Sequence, residues 1–174
     1  TNVSRDTPIL VLSAPDDDFA SRGAHKLIGA LDAFGADGLR VDGRRCLDAG
    51  ASTGGFTDVL LRRGAAEIVA VDVGYGQLIW RLQNDERVHV VDRTNVRHLD
   101  PETIGGAVDL IVADLSFISL SLVLPALRAC LREGGDLVPM VKPQFEVGKD
   151  RVGSGGVVRD PELRATAVAD VADE

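Results

Sequence analysis

The sequence predicts an α/β fold built on a doubly wound, mostly parallel sheet. Three observations predict it. Near-continuous runs of Val, Ile, Leu and Ala recur at Arg45–Asp48, Glu67–Val73, Val88–Asp92, Val108–Asp114 and Asp136–Lys142. Strands of that composition are buried on both faces, as in parallel sheets covered by helices. Between them lie helical patterns at Phe56–Arg63, Gln77–Gln83 and Leu120–Leu131. Finally, the first strand turns through Gly50, Gly54 and Gly55 straight into a helix, the way α/β sheets present backbone N–H groups to a ligand.

Taken in order, residues 1–20 differ from the rest of the chain. Thr7–Ser13 is β-like and Pro15-Asp16-Asp17-Asp18 is a polar break, so this stretch reads as the remnant of an upstream domain and a linker. From Ser21 to Phe34, Leu27, Ile28, Leu31 and Phe34 share one helical face, with Ser21 as N-cap and Gly35 as stop. Pro101-Glu102 is expected to open a short helical turn, and Gly148–Gly156 to form a glycine-rich loop. Asp160 and Pro161 then occupy the N-cap and first position of a last helix. Such a helix should lead to further strands, so the sheet is expected to be truncated at its C-terminal side.

The bulk composition narrows the function. A chain of 174 residues, 45% hydrophobic, can bury one substantial core. Its longest uncharged apolar stretch, Leu115 to Leu127, contains Pro125 and falls short of the ~20 residues needed to cross a bilayer. Cys46 and Cys130 form no disulfide framework and no metal-ligand spacing, so no metal is expected and the cytoplasm is the default location. A net charge of −8 argues against gripping nucleic acid by bulk electrostatics. Of 19 basic residues only Lys26, Lys142 and Lys149 are lysines. Lysine, unlike arginine, readily changes its protonation state when buried, which singles out Lys26 and Lys142.

The chemistry-bearing residues stand at the ends of the expected strands. Asp72 closes the second strand roughly 20 residues beyond the glycine loop, where a carboxylate accepts hydrogen bonds from ribose hydroxyls. That pair suits a dinucleotide or S-adenosylmethionine. The loop Asp48-x-Gly50-x-x-x-Gly54-Gly55 is not G-x-G-x-x-G, and an Asp in place of the first glycine suits a ligand with an amino group and no pyrophosphate. Asp92 and Arg93 end the third strand, either beside the place an adenine would take or as a strand-end acid and a surface arginine of structural purpose. Asp114 and Lys142 end the fourth and fifth, where open α/β sheets do chemistry. An ion pair of purely structural purpose between them remains the alternative.

Together these residues resemble a family. Ser21–Leu27, Leu47–Thr57, Asp72–Leu78, Arg93–Asn95, Asp114–Leu120, Val141–Gly148 and Gly155–Asp160 match, in order, the TlyA family of ribosomal RNA 2′-O-methyltransferases. The catalytic domain of that family is similar to the FtsJ/RrmJ type. The resemblance implies a Rossmann-like class I fold, with residues 21–174 as the methyltransferase domain and residues 1–20 as what remains of an S4-like RNA-binding domain. It implies S-adenosyl-L-methionine as cofactor, ribosomal RNA or ribosomal subunits as partner, and a K-D-K-E catalytic set. By motif, Lys26, Asp114 and Lys142 fill its first three places. The Glu belongs to a Gly-Asn-Val-Glu-like segment expected beyond Glu174, so these residues by themselves are expected to be inactive. Glu146 and Glu174 stand in no matching motif. The cofactor site is expected to use Asp48, Gly50, Ser52, Gly54, Gly55 and Phe56 from the loop. Asp72, Val73, Asp92, Arg93 and Asp114 are expected to complete it from the later strand ends.

Three rivals stand beside this reading. A catalytically silent protein that binds the cofactor and RNA is countered by the presence of Lys26, Asp114 and Lys142. A NAD-dependent oxidoreductase is disfavoured by the loop spacing. A membrane-active haemolysin, a name the family has carried, finds no basic amphipathic helix or spanning segment here. Nothing in the residues assigns an oligomeric state.

Overall fold

The computed structural model describes residues 18–174. Residues 1–17, with the β-like Thr7–Ser13 run and most of the expected upstream remnant, lie outside the described residues. The strands are β1 (Arg45–Ala49), β2 (Glu67–Val71), β3 (Val88–Val91), β4 (Val108–Ala113) and β5 (Leu131–Pro139). The helices are α1 (Ala24–Phe34), α2 (Gly55–Arg62), α3 (Trp80–Gln83), α4 (Leu124–Cys130), α5 (Pro143–Glu146) and α6 (Pro161–Ala172). All four strand pairings are parallel, in the order β3-β2-β1-β4-β5. This is a doubly wound sheet, and its strand order reverses between β1 and β4.

Alternation along the strands separates two cores. Cys46, Ile68, Ala70, Leu110 and Val112 face a cluster with Leu27 and Leu31 of α1 and Val59 and Leu60 of α2. Leu47, Val69, Val71, Ile111 and Ala113 face the opposite cluster, with Val96, Leu127 and Cys130. Both faces of the central strands are therefore covered, which explains why they read as unbroken apolar runs.

Several boundaries differ from the sequence reading, each for a tertiary reason. The N-cap position of α1 is Gly23, not Ser21. Ser21 Oγ instead accepts a hydrogen bond from Gly23 N at 3.2 Å, and its carbonyl accepts one from Ala24 N, so it shapes the turn before the helix. The helix expected from Gln77 begins only at Trp80. Ahead of it, Gly76 N donates to Asp92 Oδ2 and Ile79 N to the Thr53 carbonyl, which holds that backbone as loop. The helix expected over Leu120–Leu131 is a 3-10 turn at Leu120–Leu122 followed by α4. Leu131 already pairs with Val108, and the register then jumps so that Asp136 pairs with Leu110. The intervening bulge passes through Gly134, at φ +72°. Strand β5 thus starts earlier and stops earlier than expected, leaving Lys142 beyond its end. Pro101-Glu102 opens a turn as expected, closed by Gly105 N on the Glu102 carbonyl. The final helix agrees, with the Asp160 side chain accepting from Glu162 N and Pro161 at the first position.

Candidate active site

The site lies at the carboxyl ends of β1 and β4, where the strand order reverses and open α/β sheets bind ligands. Gly50 leaves β1 at φ +89°, and its backbone passes so close to the segment after β4 that a Cβ would stand 3.1 Å from Leu115 Cδ2 and 3.2 Å from the Asp114 carbonyl. Only glycine satisfies both conditions. Ser52 follows with φ +48° and donates its backbone N–H to Asp72 Oδ2 at 2.8 Å. The other Asp72 oxygen accepts from Gly74 N at 2.7 Å. Each oxygen keeps a further lone pair for a ligand hydroxyl.

Two adjoining cavities open here. One, of about 490 Å³, is bounded by Gly50, Ser52, Asp72, Val73, Thr94 and Asn95, with apolar walls from Val96, Leu115 and Ile118. The other, of about 360 Å³, is bounded by Lys26, Ser52, Gly55, Phe56, Asp114 and Lys142. Gly50, Ser52, Asp114 and Ser116 belong to the walls of both.

Asp114 holds the two lysines together. Lys26 Nζ, from α1, donates to its Oδ2 at 2.8 Å, and Lys142 Nζ, just past β5, lies 2.7 Å from Oδ1. Burial works to raise the Asp114 carboxyl, but the Lys142 and Lys26 ammonium groups outweigh it and hold the group below the usual carboxylate range. The position of Lys26 depends on how the segment before α1 is anchored. There Asp58 of α2, itself buried, accepts from Ala20 N at 2.8 Å and pairs with Arg62 and Arg81.

The remaining expected residues take supporting positions. Asp48 is fully buried in β1 and lines neither cavity. Its Oδ2 accepts from Thr57 Oγ1 at 2.7 Å while Oδ1 has no hydrogen-bond partner. Burial drives its pKa up to about 7, against the Thr57 hydrogen bonds and with the help of the Asp114 and Asp72 charges. Gly54 also lines neither cavity; Leu78 and Leu82 fill the space its side chain would take. Asp92 and Arg93 brace the loop after β2, through Gly76 N on Asp92 and the Arg93 guanidinium 4.2 Å above the Tyr75 ring.

Three residues absent from the sequence reading of the site also belong here. Ser116 Oγ accepts a hydrogen bond from Lys142 Nζ at 2.8 Å. Phe117 is 91% exposed at the cavity rim, with φ +65° and its ring 5.5 Å from that of Phe145. Glu146 of α5 reaches back to the segment after β4, accepting from Ser119 Oγ at 2.6 Å and Leu120 N at 3.0 Å. Adjacency to Asp114 was the available signal for Ser116 and Phe117. Nothing local in the sequence marks the Glu146 contact.

A model of the FtsJ-like methyltransferase family matches residues 19–174. The chain belongs to the FtsJ-like methyltransferase family. Among FtsJ-like relatives, the 16S/23S rRNA (cytidine-2′-O)-methyltransferase TlyA of Mycobacterium tuberculosis is 64% identical over 172 residues, covering 99% of this chain and 63% of that protein. The chain therefore spans less than two thirds of that relative's length. A solved structure from Streptococcus thermophilus, named provisionally as a hemolysin, superposes with a TM-score of 0.84 at 43% identity, covering 90% of this chain and 56% of that one. An S-adenosylmethionine-dependent methyltransferase from Mesorhizobium loti superposes with a TM-score of 0.55 at 15% identity, covering 80% and 78% of the two chains. That likeness is one of fold. Among the described residues no helix is long and apolar enough to cross a membrane.

Proposed function

We propose that the protein is an S-adenosylmethionine-dependent methyltransferase acting on a ribose 2′-hydroxyl of ribosomal RNA, with ribosomal subunits as partner and the cytoplasm as its place of action. The observation that carries the reading is Asp114, held between Lys26 and Lys142 where the two cavities meet. Family membership and the named activity of the M. tuberculosis relative support the substrate class.

The residues present fit the cofactor. Asp72 offers paired carboxylate oxygens for a ribose diol, and Val96, Leu115 and Ile118 offer an apolar bed for a purine. Asp114 places a carboxylate beside the cavity for a cationic sulfonium. Bound there, the cofactor supplies an activated methyl group. A ribose hydroxyl is a weak nucleophile, and its attack depends on alignment with the reacting carbon at about 3–3.5 Å. Lys142 Nζ orients that hydroxyl and stabilises the negative charge growing on its oxygen while the hydroxyl proton passes to solvent water. Asp114 balances the charge of Lys142. Lys26 adds a second ammonium for substrate oxygens. Phe117 gives the rim an exposed aromatic face on which an RNA base can stack.

Calorimetric titration of the full-length protein with S-adenosylmethionine tests the cofactor half of the proposal. Saturable heat with that ligand and none with NAD is expected; heat with NAD alone would overturn it.

A further inference from the structure

Lys142 carries three N–H donors, and the structure distributes them unequally. Its Nζ is 2.7 Å from Asp114 Oδ1, yet that oxygen has no directed hydrogen bond. The contact is an ion pair, attractive but only weakly orienting. The directed hydrogen bond of Lys142 goes to Ser116 Oγ at 2.8 Å. Ser116 sits on the segment leaving β4 and Lys142 on the segment leaving β5, so this bond fixes one segment against the other. Ser116 is also one of the residues shared by the walls of both cavities. It is solvent-exposed, so its hydroxyl is not needed to fill a core.

We infer that Ser116 is a positioning residue for methyl transfer: by accepting one N–H of Lys142 it fixes the rotation of the ammonium group at the junction of the cavities, leaving its other donors for Asp114 and the substrate hydroxyl. The inference rests on the methyltransferase reading of the site. A flexible four-carbon side chain tied to one carboxylate alone would sample several directions, and a donor off axis orients a nucleophile poorly. The hydroxyl removes that freedom without adding charge.

The test compares Ser116→Ala and Ser116→Thr in the full-length protein, with two readouts. In methyl transfer to ribosomal subunits, Ser116→Ala is expected to lower kcat about tenfold while leaving KM for RNA and the donor Kd within about twofold. Ser116→Thr retains the hydroxyl and is expected to restore kcat to within about threefold of wild type. In a lysine-selective 15N spectrum without substrate, the Lys142 Nζ signal, assigned through Lys142→Arg, is expected to move in the Ala variant and hold in the Thr variant. A kcat for Ser116→Ala within about twofold of wild type, or equal losses in both variants, would overturn the inference. So would an unmoved Lys142 signal. If wild-type protein methylates no ribosomal RNA, the functional reading fails, while the 15N signal still decides the contact between Ser116 and Lys142.

Discussion

Lys142 and Asp114 leave neighbouring strands and meet with Nζ 2.7 Å from Oδ1, while the second carboxylate oxygen accepts from Lys26 at 2.8 Å. One partly buried carboxylate thus organises two cations contributed by widely separated segments. Removing its charge would leave two ammonium groups facing each other across the place where substrate and donor are proposed to meet.

Asp114→Asn is accordingly expected to cost about 2 kcal/mol of stability at neutral pH, within the range for charge-assisted hydrogen bonds. The pH dependence has a definite sign. The folded state holds this carboxyl below its ordinary range, so its contribution is full above the unfolded pKa and fades as pH falls through the lowered folded value. Urea unfolding at pH 7 and pH 3 checks this, and the deficit of the variant should shrink at the lower pH.

Asp48 behaves in the opposite sense. Its pKa is about 7 in the folded protein against an ordinary 3.8, so the folded state binds a proton that the unfolded chain releases. Stability from this group is full below the unfolded value and is lost as pH rises through about 7. Asp48→Asn should flatten the decline in stability between about pH 4 and about pH 7, as read from urea midpoints. A decline as steep as that of wild type would place its origin elsewhere.

Glu146 ties the segment carrying Ser116 and Phe117 to the helix just after Lys142. Glu146→Ala should cost about 1–3 kcal/mol, because Leu120 N loses its partner. Glu146→Gln keeps acceptor capacity and should cost less. Amide exchange at Leu120, accelerated in the Ala variant, locates the effect.

Phe117 combines near-complete exposure with a left-handed backbone, an uncommon conformation for a bulky residue. Phe117→Ala should leave folding stability unchanged to within about 0.5 kcal/mol. Its affinity for ribosomal RNA should fall about tenfold, in line with the loss of one stacked base. Donor affinity should fall less, since Phe117 stands only at the rim of the cavity proposed for the donor. Filter binding of RNA and calorimetry of the donor separate the two.

The ends of β2 and β4 were legible in the sequence because a strand buried on both faces is apolar until it emerges, so Asp72 and Asp114 mark the points of emergence, whereas Lys142 lies past the end of the less buried β5. The glycine loop was legible through its spacing, and the structure pairs Ser52 N with Asp72 Oδ2 across it. The late start of α3 and the early start of β5 were not legible, since they depend on Asp92, Thr53 and Val108, which are distant in sequence. Nor was the packing reason for Gly54, which comes from Leu78 and Leu82. The contact between Ser116 and Lys142 likewise needs the β5 segment to be placed before it can be seen.

The central claim is tested most directly by incubating full-length protein with ribosomal subunits and a radiolabelled methyl donor, then digesting the RNA to nucleosides. The account predicts label on a ribose 2′-oxygen, reduced about a hundredfold or more in Lys142→Ala while donor affinity stays within about threefold. Label on a base, or near-normal labelling by Lys142→Ala, would contradict it.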